Sequence, residues 1–151
     1  EFRRVLFRSS PLGCAVGLAV LEETLGNDLA AQAERVGAYL RERLRELQAA
    51  VPILGDVRGR GLLNAIEIVA DPVTKAMLPR HLDVIGDLKR LALARGLLIY
   101  GRRSQGGRYG DWLMMTPPLI TQPADVDVIV EGLAESLRAY QAELVRASHL
   151  S

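Results

Sequence analysis

Two segments rich in glycine and arginine hold the residue types best suited to chemistry. The first, Gly55-Asp56-Val57-Arg58-Gly59-Arg60-Gly61, could cradle a phosphate through backbone N–H groups. It has no lysine followed by Ser or Thr and opens no helix, so it meets neither the P-loop nor the dinucleotide fingerprint. A structural turn is the plainer reading. The second segment, Gly101 to Gly110, sets Arg102, Arg103 and Arg108 in a polar stretch between short apolar runs. A guanidinium pairs bidentately with a carboxylate, so one of these arginines could sit over an anionic substrate group. Simple solvation of all three is the competing reading.

The other reactive side chains offer less. Cys14 lies among small residues, and with no histidine near it in sequence an inert, buried thiol is expected. A lone cysteine excludes an internal disulfide and any cysteine-based zinc site, and His81 and His149 add too few ligands for metal catalysis. Both histidines read as surface residues. Trp112, Met114 and Met115 on a short strand suggest core and interface. No Ser-His-Asp set or catalytic carboxylate pair can be assembled. The 19 basic and 18 acidic residues are interleaved and leave a net charge of +1, which argues against a nucleic-acid surface. The longest apolar stretch, Pro11 to Leu21, is shorter than the ~20 residues of a membrane helix, and no signal peptide is readable. Composition fits a reducing, cytoplasmic compartment.

The elements that position these residues follow from patterning. Ser10-Pro11 reads as an N-cap and first helical residue, opening a helix to about Leu25 in which Gly13, Ala15, Gly17 and Ala19 permit close packing. A second helix is expected from Leu29 to about Ala50, with Val36, Leu40, Leu44 and Leu47 on one stripe. Ile53 to Gly61 reads as a short extended segment running into the glycine-rich turn. Leu62 to Val69 reads as a strand apolar on both faces except at Asn64 and Glu67. A helix over about Leu82 to Arg95 stops at Gly96. Leu97 to Tyr100 and Asp111 to Thr116 read as strands around the Gly101–Gly110 loop. A final amphipathic helix opens near Pro123 and runs along Val126, Ile129, Leu133, Leu137, Tyr140 and Leu144, with a frayed tail from Ala147. The pattern predicts an α+β fold, a small and mainly antiparallel sheet covered by helices.

Residues Glu1 to Ser9 resemble, over all nine positions, the translation of a common sequencing-library adapter. They are expected to be non-native and poorly packed, with native sequence starting near Ser10. A basic amphipathic arm is the alternative, with Arg3, Arg4 and Arg8 set against Phe2, Leu6 and Phe7.

Three segments in order carry a family resemblance. Ser10 to Glu22 resembles the helix that follows the histidine-threonine-tyrosine-serine-glycine loop of class III aminotransferases. Gly55 to Leu63 with Ile66-Glu67-Ile68-Val69 is similar to the start of their small-domain strand. Gly96 to Tyr100, Gly110-Asp111 and Thr116 to Thr121 resemble their closing segment. The resemblance spans Ser10 to Leu144. It implies the carboxy-terminal part of a fold-type-I enzyme: a last large-domain helix over 10–28, then a small domain over 29–151. It also implies a homodimer that uses pyridoxal 5'-phosphate to move an amino group from an amino acid or amine to a 2-oxo acid. In the family, the Schiff-base lysine and the phosphate-binding loop lie upstream of the position of Ser10. Lys75 and Lys89 do not stand in that lysine's context. No catalytic or cofactor-binding residue carries over, and the chain alone is expected to be inactive and to bind no cofactor.

Members commonly place an arginine in the closing segment for the substrate carboxylate. One version has it three residues before the Gly-Asp pair, where this chain has Gly107, with Arg108 one step later; another has it shortly before the Pro-Pro pair, where this chain reads Trp112 to Thr116. These departures weaken an ornithine-type or acetylornithine-type assignment. Arg108 is the candidate carboxylate contact, with Arg102 and Arg103 as alternatives. An aminomutase or decarboxylase sharing this domain, or a free-standing α+β interaction module, are the competing readings. A covered first helix would favour the module; an exposed apolar flank would favour a severed domain.

Overall fold

The computed structural model describes residues 10–108 and 110–150; the expectation for Glu1 to Ser9 falls outside them. Ser10 opens helix α1 (Pro11–Gly26) by accepting the Gly13 N–H on its hydroxyl at 3.3 Å. Helix α2 (Leu29–Ala50) buries Leu29, Ala33, Val36, Leu40, Leu44 and Leu47 on one stripe. It ends before Pro52, which cannot continue a helix. Strands β1 (Leu54–Arg60) and β2 (Leu63–Ile68) form a hairpin joined by Gly61-Leu62. Helix α3 (Val84–Leu93) is capped by Asp83, whose carboxylate accepts the Gly86 N–H. Beyond α3, the N–H groups of Gly96 and Leu97 donate to the carbonyls of Leu93 and Ala92, the paired bonds of a Schellman closure. Strands β3 (Tyr100–Arg103) and β4 (Asp111–Met115) form a second hairpin. A reciprocal capping box between Gln122 and Asp125 opens helix α4 (Pro123–Arg146).

The strands assemble in the order β1-β2-β4-β3, each pair antiparallel, as the α+β expectation requires. Helix α2 packs on β1 and β2 and helix α3 on β3 and β4, on one face of the sheet, and α4 packs against both helices. Between them lies the core, with Leu40, Leu44, Ile66, Leu88, Leu113 and Leu133 almost fully buried, each contributing about 1.5–3 kcal/mol of hydrophobic stabilisation. The other sheet face has no helix over it among the described residues.

The structure corrects several local expectations. The glycine-rich segment at 55–61 is mostly strand: residues 54–60 form β1, whose backbone pairs with β2, and only Gly61 enters the turn. Strand β2 is buried on one face only, and its other face carries Leu63, Ala65 and Glu67. Asn64 points into the core at 1% exposure and donates to the Gly61 carbonyl, whereas Glu67 lies on the uncovered face. The segment at 97–99 precedes β3 rather than forming a strand, and Gly101 to Arg103, expected in a loop, are ladder residues. Cys14 is exposed rather than buried, because α1 has no buried residue. The tail is anchored through Leu150. Ser148 takes a left-handed conformation, the His149 N–H donates to the Leu144 carbonyl, and the His149 ring meets His81 edge-on at 5.3 Å. Leu150 packs against the core.

Candidate functional site

The β3–β4 hairpin carries the three candidate arginines to one edge of the sheet, and alternation along β3 sends neighbours to opposite faces. Arg103 turns toward the helix-covered side, where its Nε and Nη2 donate to the two carboxylate oxygens of Asp111 at 2.8 and 2.7 Å. Its Nη1 donates to the carbonyls of Arg80 at 2.7 Å and Pro79 at 3.4 Å. With every guanidinium nitrogen engaged and its partner carboxylate 1% exposed, Arg103 is a structural arginine. The Asp111 carboxylate holds its pKa above the ordinary arginine value. Nearby, burial pushes the Tyr140 hydroxyl well above the usual phenol range.

Arg102 lies on the uncovered face. Cross-strand register sets it beside Trp112, which faces Glu67 and then Asp56. A parallel row runs Tyr100, Met114, Ala65 and Arg58. Tyr100 and Trp112 approach to 6.0 Å between ring centroids, with the Lys89 ammonium 5.7 Å from the Tyr100 centroid. Arg58 is committed to Asp56 at 2.6 Å and Glu67 at 3.5 Å. Below this face, an apolar groove of about 530 Å3 runs between the 97–100 segment, the end of β4 and Pro117-Pro118.

Arg108 sits in the connecting loop. A short turn at Ser104–Gly107 takes left-handed angles at Gln105 and Gly106 (φ 46° and 62°), and Arg108 follows it with its N–H on the Gln105 carbonyl at 3.3 Å. Its side chain is exposed. Gly110 (φ 83°) closes the loop in a conformation that favours glycine. The hairpin thus separates the candidates: Arg103 inward, Arg102 on the open face, Arg108 in the loop. The partner that commits Arg103, Asp111, entered the sequence reading only as half of the Gly110-Asp111 pair, with no ion-pair role given to it. An acid and a base flanking a glycine-bearing loop could have flagged a cross-strand pair.

Of the two lysines, Lys75 donates through Nζ to the Gly55 carbonyl at 2.7 Å, and the Lys89 ammonium lies by the Tyr100 ring. Among the described residues no group of His, Cys, Asp and Glu could hold a metal, and no helix is long and apolar enough to cross a membrane.

A four-stranded antiparallel sheet with helices on one face makes this an α+β unit, and comparison with known proteins supplies the family. The class-III aminotransferase profile matches residues 6–137, and the chain belongs to that family. An uncharacterised aminotransferase of Sinorhizobium fredii is 36% identical over 140 residues, covering 93% of this chain and 29% of that protein. Alanine–glyoxylate aminotransferase 2 homolog 2 of Arabidopsis thaliana is 35% identical over 132 residues, 87% of this chain and 26% of its own length. A solved transaminase obtained by ancestral reconstruction superposes with a TM-score of 0.79 at 33% identity, across 89% of this chain and 28% of that one. The chain therefore spans under a third of the length of these relatives.

Proposed function

We propose that this chain is the carboxy-terminal, substrate-closing part of a class III transaminase that moves an amino group from an amino acid or amine to a 2-oxo acid. Residues 10–28 belong with the large domain and residues 29–151 form the small domain. Pyridoxal phosphate, the Schiff-base lysine and the second subunit of a cytoplasmic homodimer come from outside this chain, which alone is inactive. The observation that carries the reading is α1. It is apolar around its circumference, yet Leu12, Val16, Leu18, Val20, Leu21 and Leu25 are all more than half exposed. A soluble domain rarely leaves so much apolar surface open unless another body covers it. That favours a severed domain over a free-standing module.

Within the closing hairpin, Arg108 receives the substrate carboxylate. Arg103 is committed to Asp111, and Arg102 stands on the uncovered sheet face. In the full-length protein carrying this segment, Arg108→Ala raises KM for an amino-acid donor about tenfold or more, the worth of one charge-assisted carboxylate contact. Unchanged kinetics would sink the assignment. Mixing the present chain with pyridoxal phosphate gives no Schiff-base absorbance band; a saturable band would place the reactive lysine here after all.

A further inference from the structure

The loop that bears Arg108 is held at its base by a set of bonds that the amino-transfer reading does not use. Asp111, the first residue of β4, is buried, and both its carboxylate oxygens are taken by Arg103, the last residue of β3. The remaining nitrogen of Arg103 ties this pair to the carbonyls of Pro79 and Arg80 on the segment leading to α3. One step up, the Ser104 N–H donates to the Gly110 carbonyl at 3.1 Å, and the Trp112 indole N–H donates to the Ser104 hydroxyl at 2.8 Å. Above this base the chain passes through left-handed angles at Gln105 and Gly106 before reaching Arg108. A non-glycine residue holds such an angle only where its surroundings fix it.

The geometry points to Asp111 and Arg103 as positioning residues that set where Arg108 is presented and so favour carboxylate-bearing donors over plain amines. This rests on Arg108 being the carboxylate contact. Arg103 cannot share that task, because its nitrogens are all engaged. A bidentate pair suits positioning because its two parallel bonds fix orientation as well as distance, which a lysine in place of the arginine cannot do. The tie to the 79–80 carbonyls anchors the hairpin to the layer beneath, so the loop cannot swing about β3 and β4 alone.

The test has two arms. In the first, amide hydrogen exchange is measured on this chain and on its Arg103→Lys and Asp111→Asn variants. The Ser104 and Arg108 amides are expected to exchange at least about tenfold faster in both variants, with β2 amides unchanged. Arg103→Lys keeps the charge beside Asp111, so it gives the answer even if Asp111→Asn unfolds the sheet. Unchanged exchange at Ser104 and Arg108 overturns the proposal. In the second arm, the same substitutions are made in the full-length, cofactor-loaded protein, and KM is compared for alanine and for benzylamine, which has no carboxylate. The expected result is about a tenfold rise for alanine and less than about twofold for benzylamine. An equal rise for both donors, as a purely structural role would give, overturns the proposal. Arg108→Ala is the control: if it leaves both KM values unaltered, the assignment of Arg108 fails, and the exchange arm still decides whether the pair positions the loop.

Discussion

Gly37 offers a test in which two physical effects predict opposite signs. It sits inside α2, where alanine is normally better than glycine by about 1 kcal/mol. Here a Cβ would lie 2.0 Å from the Gly61 carbonyl oxygen and 2.1 Å from its carbon, both backbone atoms of the β1–β2 turn. Ordinary contact needs over an ångström more, so the turn and helix must separate. That overpacking costs about 1–3 kcal/mol. Separation also weakens the 2.9 Å bond from Arg41 Nη1 to the same carbonyl, worth about 1.5–3 kcal/mol for a charged donor. Offsetting the propensity gain leaves a net loss of about 2–4 kcal/mol for Gly37→Ala, or on the order of 5–10 °C in Tm for a domain of this size. Gly17→Ala is the control, since a Cβ at Gly17 meets nothing within 4 Å, and it should stabilise by about 1 kcal/mol. Urea titration of the three proteins reads both signs. A neutral or stabilising Gly37→Ala would refute the claim that close approach, rather than helix propensity, governs this position.

Other outcomes follow from the same structure. Leu133→Ala removes a fully buried side chain between α4 and the rest of the core and should cost about 2–5 kcal/mol by chemical denaturation; a loss near zero would mean that α4 is not packed as described. The Tyr140 hydroxyl is buried without a hydrogen-bond partner among the described residues, so Tyr140→Phe should be neutral or stabilising by up to about 1 kcal/mol, and a clear destabilisation would reveal a partner for the hydroxyl. The Asp71 carboxylate accepts the Thr74 and Val73 N–H groups and has its pKa lowered by them, Thr74 first. A carboxyl group depressed on folding contributes stability above its unfolded value and loses it as pH falls through its folded value. Amide protection at Val73 and Thr74 should therefore persist through the neutral range and fall only below about pH 4; protection that declines near neutrality would contradict the assignment.

Periodicity was enough to read the α+β class, the four described helices and the β2 and β4 strands. Helix stripes such as Leu40-Leu44-Leu47 and caps such as Ser10-Pro11 are local signals whose meaning does not depend on distant contacts. The family was legible for a related reason: three ordered segments retained their spacing. For the candidate site, the sequence offered Arg108 first, with Arg102 and Arg103 as alternatives. Residue type and spacing made them candidates for a carboxylate contact without saying which way each would face.

Tertiary structure settled that choice. Whether Gly101 to Arg103 are loop or ladder depends on β4 pairing beside them, and pairing is a long-range event that glycine and arginine neither favour nor forbid strongly. Once the ladder formed, the two-residue alternation sent Arg102 to the uncovered face and Arg103 to Asp111. The same dependence explains β1, whose glycines read as a turn until β2 supplied hydrogen-bond partners. It explains Cys14 as well: small residues announce close packing, but only a neighbouring surface can bury them, and among the described residues none covers that flank of α1. Sequence by itself determined the helices, two of the four strands, the family and the chemical types at the site. The three-dimensional pairing of strands decided orientation, because a strand's side chains acquire a face only when its neighbours fix the sheet.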